Sequence, residues 1–249
     1  MNNENQHQIF GANVVENTGA GTISKSFMAN VFLWMFVALG ISAAVSLYFS
    51  MNVHLLIDYL VKPEGGLNIL GWIVMLSPLG FVLIMSMGFA RLSAPAIIGL
   101  FLLFATLMGV SLTFTLLAYT ASSVLTCFIS ASAMFGTMAV MGYTTNKDLT
   151  GFGRIMTMGL IGIVIAMIVN MFMQSDTMDY IISFIGVMVF TGLTAYDVQK
   201  LKRIGAGIEF EGTAAADVKK LAIMGALTLY LDFINLFLFL LRLFGGRRD

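Results

Sequence analysis

Charge is scarce in this chain. Of its 249 residues only 10% are Asp, Glu, Lys or Arg, against about 25% in an ordinary soluble domain. Thirteen basic and thirteen acidic residues cancel, which excludes a global field that would gather nucleic acid and leaves the placement of charge as the informative variable. A single cysteine, Cys127, excludes an internal disulfide, and its apolar surroundings read as packing. The two histidines, His7 and His54, both fall outside the apolar runs, so an intramembrane serine nucleophile would have no histidine base. His7 has no second histidine nearby with which to hold a metal. No lysine lies between Ala222 and Gly246, which excludes a retinal Schiff base on the last apolar run.

What remains is hydrophobic: 59% of residues are apolar and the mean hydropathy is +0.93. The chain reads as an all-α polytopic membrane protein. Seven apolar runs approach or exceed the ~20 residues a bilayer crossing needs, at 27–49, 69–87, 94–119, 122–143, 155–173, 178–200 and 221–244. Residues 27–249 therefore form a seven-span membrane domain. Residues 1–26 are polar, carry Lys25 as their only basic residue, and lack the basic start and short apolar core of a cleaved signal; they read as a disordered tail. Polar loops are expected at 50–68 and, longer, at 201–220. Pro78 falls inside the second span, where it removes a backbone hydrogen bond and kinks the helix. Pro95 opens the third, where its missing N–H costs little.

Basic residues beside the spans set the orientation. With the N-terminus in the cytoplasm, that side collects Lys25, Arg91, Lys147, Arg154, Lys200, Lys202, Arg203, Lys219 and Lys220, against Lys62, Arg242, Arg247 and Arg248 opposite. The last three arginines run against the trend and leave open a final helix that only dips into the membrane. Glycines at 136, 142, 159, 162, 186, 192 and 225 lie inside or at the ends of spans, where small residues let backbones approach. The many methionines and phenylalanines read as core filling or lipid-facing surface.

Few ionisable groups fall within the expected hydrocarbon region. Asp232 lies about ten residues into the last span, where a bare carboxylate costs roughly 2.5–3.5 kcal/mol. Asp197, in FTGLTAYDVQKLK, lies near the cytoplasmic end of the sixth span. At 1.5 Å per residue these depths are roughly 15 Å and about 5–10 Å, and in adjacent antiparallel helices they overlap once tilt is allowed. Two carboxylates in contact would share one proton, and a proton or cation entering between them would bias the helix packing. The other reading is that each aspartate independently caps or hydrogen-bonds a neighbouring helix. Arg91, at the cytoplasmic end of the second span, is the natural counter-ion, or else a positive-inside marker at the headgroups. Asn235 shares a helix face with Asp232, and Asn170 is an isolated amide in the fifth span; either can donate to a carboxylate or offer an oxygen to a cation, and interhelical hydrogen bonding suits Asn170.

The segments GYTTNKDLTGFG, TGLTAYDVQKLK and ALTLYLDFINLFLFLLRLFG resemble the transmembrane Bax inhibitor motif family in its bacterial branch, most strongly from Gly142 to the C-terminus. The resemblance implies a bundle whose last helix is surrounded by the other six, in the bacterial cytoplasmic membrane, with a calcium leak sensitive to pH. The family's paired aspartates match Asp197 in AYDVQ and Asp232 in LYLDF, and its arginine near the end of the second helix matches Arg91 by position. The chain departs from the family in a longer N-terminal tail and a longer loop between its last two spans. Asp197 and Asp232 with Asn235, water and backbone carbonyls would make only a loose calcium site, which suits passage.

The expected function is thus a pH-sensitive calcium leak channel, with calcium and protons as its ions, the lipid bilayer as its surroundings and no cofactor. The alternative is a regulatory protein that binds and modulates another membrane protein, such as a membrane protease, with the aspartate pair locking the fold and the tail as handle. Intramembrane aspartyl proteases also pair two aspartates, but their Gly-Asp context is missing: Tyr196 precedes Asp197 and Leu231 precedes Asp232. The expectation is a protein that is not an enzyme.

Overall fold

A computed structural model describes residues 20–211 and 214–246. Its helices are α1 (Ala20–Met51), α2 (Val53–Leu60), α3 (Ile69–Gly88), α4 (Ala94–Leu117), α5 (Ala121–Thr144), α6 (Thr150–Met173), α7 (Asp176–Glu211) and α8 (Ala215–Phe244). All but α2 are long and apolar enough to cross a membrane, and the chain is an all-helical polytopic membrane protein. His7, most of the expected N-terminal tail, Arg247 and Arg248 lie outside the described residues.

The element ends follow local chemistry. Asn68 caps α3 by accepting from Gly71 N at 2.8 Å, and Ser93 Oγ caps α4, with Pro95 in the first turn. Within α3, Pro78 cannot donate to the Val74 carbonyl four residues back. That carbonyl instead accepts from Ser77 Oγ at 2.8 Å and from Ser111 Oγ of α4 at 3.3 Å. Neighbouring hydroxyls thus satisfy the group that proline frees in a medium without water. Replacing Ser77 and Ser111 together by Ala is expected to cost about 1–2 kcal/mol and each alone much less, because the other hydroxyl still serves Val74. Thermal unfolding of the purified variants reads this; equal losses in the single and double variants would reject it.

Two expected loops are instead largely helical. The segment 50–68 contains the short amphipathic α2, which buries Leu56 and Leu60 on one face, followed by a tight turn at Gly65 and Gly66 with φ of +92° and +79°. The segment 201–220 holds the last turns of α7 and the first of α8, joined by residues 212–214. Hydropathy marks where the membrane stops, but α7 runs on because its inner face stays packed. Leu201 and Ile208 are buried, and Gly205 lies against Ser24 and Phe27 of α1.

Helix α8 is the most buried of the seven spans. Thirty residues long, it extends about 45 Å, enough to cross the ~30 Å hydrocarbon core rather than dip into it. Its neighbours are α1, α4, α5 and α7, while α3 packs outside α4 and α6 outside α7. The expectation of six surrounding helices is corrected to four, because α3 and α6 sit in an outer layer; α5 packs on α7 but closes against neither α1 nor α4, so one side of the ring stays open. At the centre Tyr230 is fully buried. Its hydroxyl donates to Ser42 Oγ at 2.7 Å, and the Ser42 hydrogen goes to Ala105 O at 2.7 Å, tying α8, α1 and α4 together.

A candidate gate of paired aspartates between the last two helices

Helices α7 and α8 form an antiparallel hairpin. Counted from the connection, Asp197 lies fourteen residues back from Glu211 and Asp232 seventeen residues on from Ala215, about 21 and 26 Å along the two axes. The similar depths set the two carboxyl groups beside each other. Both side chains are buried. Asp232 Oδ2 has no hydrogen-bond partner among the described residues. Lys200, one turn beyond Asp197, is exposed and lends it positive charge.

Close backbone approaches hold the site in place. A Cβ on Gly142 of α5 would strike the Ala195 carbonyl, two residues before Asp197, and one on Gly153 of α6 would strike the Tyr196 ring. Gly186 lies against Phe239, Gly192 against Met156 and Gly225 against Leu201, so these glycines admit a neighbouring side chain where Gly142 admits a backbone. Gly159 meets Val189 at 3.0 Å, whereas Gly136 and Gly162 face open space.

The other residues singled out from the sequence do not join the pair. Arg91 is exposed and makes no ion pair among the described residues, because α3 packs on α4 and not on α7 or α8. The counter-ion assignment is therefore not met in this arrangement. From α8 it is Lys220 that reaches the residue after α3: its Nζ lies 2.9 Å from Asp217, 3.4 Å from Phe89 O and 5.0 Å from the Phe89 ring centre. Asn235 turns back onto its own helix and donates to Leu231 O at 2.8 Å. Asn170 accepts from Ser175 N at 3.1 Å and so closes the turn after α6 instead of bridging helices.

A clamp that the sequence reading missed holds the α5–α6 loop onto α7 just past Asp197. Gln199 accepts from Leu149 N at 2.9 Å and donates to Lys147 O at 2.7 Å. Arg203 donates to Asp148 at 2.7 Å, to Gln199 Oε1 at 2.9 Å and to Thr150 Oγ1 at 3.0 Å. Lys202 donates to Tyr143 O at 2.7 Å and sits over the Tyr143 ring. The available signal was the pairing of two polar motifs, TNKDLT and DVQKLKR, at neighbouring span margins.

Hydrogen bonds from Thr150, and then from Arg203, hold the Asp148 carboxyl well below the usual carboxylate range. A depressed value means the clamp's contribution is fully present above the ordinary carboxylate range and is lost only in strong acid. Asp148→Asn is accordingly expected to leave any pH midpoint of activity between about pH 5 and 8 where it is in the wild type. A displaced midpoint in that variant would move the titrating group to the clamp.

The family model described as Inhibitor of apoptosis-promoting Bax1 matches residues 24–249. Inner membrane protein YbhL of Escherichia coli (strain K12) is 42% identical over 224 residues, covering 90% of this chain and 93% of that protein. Protein RP147 of Rickettsia prowazekii is 40% identical over 230 residues, covering 90% and 91%. A protein of Deinococcus radiodurans is 37% identical over 225 residues, covering 90% and 92%. A seven-span bundle arranged about its last helix, matched by the family from the start of its first span to its final residue, makes this chain a member of the Bax inhibitor family of membrane proteins.

Proposed function

We propose that this protein is a pH-sensitive calcium leak channel whose gate is the Asp197–Asp232 pair. The observation that carries the reading is two buried carboxyl groups side by side across the α7–α8 seam, one oxygen of which has no hydrogen-bond partner among the described residues. With one proton between them, the pair forms a hydrogen bond that ties α7 to α8. Loss of that proton puts two negative charges in contact at low dielectric and replaces the tie with repulsion. The same step exposes carboxylate oxygens to a hard divalent cation. Asn235 is engaged with its own backbone, so calcium would find two carboxylates, backbone carbonyls and water. That set is too sparse to store the ion and suits its passage. Flux therefore rises with pH.

Arg91 stands outside this gate, since α3 does not reach the pair. The basic residues beside the spans favour a cytoplasmic N-terminus, and the name of the Escherichia coli relative supports placement in the inner membrane of a bacterium. The test is calcium release from liposomes holding the purified chain, followed over a pH series. Release no faster than from empty liposomes at every pH would end this reading.

A further inference from the structure

We infer that the open side of the ring, between α1 and α5, is a binding groove for one acyl chain of an anionic phospholipid whose headgroup sits at Lys25. Helices α1 and α5 both pack on α8 but not substantially on each other, and α8 forms the floor of the gap between them. Two cavities, of about 310 and 640 Å³, follow this gap. They share Phe32, Ala139 and Val140 in their walls, so they adjoin end to end, and Phe233 of α8 lies at the bottom of the larger. Together they fall in the size range of small-molecule ligand sites.

The walls are open by construction. Gly40 on α1 and Gly136 on α5 both line the larger cavity, and a Cβ added at either would meet nothing within 4 Å. These glycines thus do not serve helix contact; they widen the slot. From Phe32 to Ala43 the slot runs eleven residues along α1, about 16 Å, which matches the tails of one leaflet, half of a ~30 Å hydrocarbon core.

Charge at one end selects the occupant. Lys25 lines the mouth of the smaller cavity with Tyr143, and Lys202 lies 5.0 Å over the same Tyr143 ring. The exposed Lys25 ammonium therefore stands where a chain seated in the slot would carry its phosphate, while Lys202, held by Tyr143 O, adds positive charge on the Tyr143 ring. A zwitterionic headgroup gains less there than an anionic one. The groove does not depend on the aspartate gate, and its test uses no flux measurement.

The full chain is purified, stripped of lipid in detergent, incorporated into nanodiscs of equal phosphatidylglycerol and phosphatidylcholine, re-extracted, and weighed by native mass spectrometry. Wild type is expected to retain one phospholipid per chain, predominantly phosphatidylglycerol. Gly136→Leu fills the slot without a backbone clash and is expected to abolish retention. Gly162→Leu, on the outer face of α6 with equally open surroundings, is expected to leave it intact. Lys25→Gln is expected to keep the chain bound but lower the preference for phosphatidylglycerol about fivefold, the worth of one lysine near an anionic surface. Equal retention by Gly136→Leu and wild type overturns the groove. An unchanged preference in Lys25→Gln, or none in wild type, overturns the headgroup assignment. A lipid-free dimer that Gly136→Leu dissociates assigns the groove to a second copy of the chain and overturns the proposal.

Discussion

Asp232→Asn is expected to hold calcium release from liposomes at the wild type's low-pH level across the whole pH series. The amide keeps the shape of the carboxyl and donates to Asp197, so the tie between α7 and α8 persists with no proton to lose. In the wild type, deprotonation leaves a second unpaired charge in the seam. A carboxylate at the centre of a span costs roughly 2.5–3.5 kcal/mol, and at 1.4 kcal/mol per tenfold that supplies a bias on the order of a hundredfold toward the open packing. The gap between variant and wild type is therefore expected to be small in acid and about a hundredfold at the alkaline end. Asp197→Asn is expected to behave alike, because either amide removes the like-charge contact, and the double variant adds nothing to the singles. A thermal melt beside each flux curve separates gating from unfolding: a variant that is flat in flux and at least as stable as wild type supports the gate. Should Asp232→Asn and Asp197→Asn both keep the wild-type rise with pH, the pair is a structural contact and the channel's pH sensor lies elsewhere.

Much of this architecture was legible from hydrophobicity alone, since seven apolar runs leave a chain little choice but to span, and a carboxylate such as Asp232 inside one of them stands out by its cost. The pairing with Asp197 follows from antiparallel geometry, although by a different route from the one the sequence suggests. Both helices extend beyond the apolar runs, α7 to Glu211 and α8 from Ala215, and it is the longer extension of α7 that brings the two depths close. The placement of Arg91 was not legible, because the order of spans along a chain does not say which helix lies in which layer; α3 follows α1 in sequence among the spans yet packs on α4. Gln199, Arg203 and Asp148 looked like a solvated span margin. A clamp between a loop and a helix has no periodicity to announce it. Glycines posed the same problem in reverse. Gly136 and Gly142 are six residues apart on one helix, and spacing cannot tell the one that faces open space from the one that meets a backbone.

That difference yields the second large effect. In Gly142→Leu the new Cβ would lie against the carbonyl of Ala195 and within 2.9 Å of its C and Cα atoms. These are backbone atoms of a helix whose hydrogen bonds fix them, so no side-chain rotation relieves the contact and α5 must move away from α7. In moving it would draw Tyr143 O from Lys202, and Lys147 O and Leu149 N from Gln199, so the clamp beside Asp197 loosens with it. Replacing glycine within a helix gains up to about 1 kcal/mol in propensity, which offsets only part of an overpacking cost of about 1–3 kcal/mol or more. The lost clamp contacts add to that. Gly136→Leu makes the same chemical change on the same helix where nothing is met, and it keeps the propensity gain. Gly142→Leu is therefore expected to melt several degrees below wild type and to show a shifted or broadened elution profile. Gly136→Leu, measured without added lipid, is expected to melt at or above wild type. Equal melting of the two variants would mean that α5 and α7 do not approach as closely as the Gly142–Ala195 contact requires, and the positioning of Asp197 would have to rest on α8 alone.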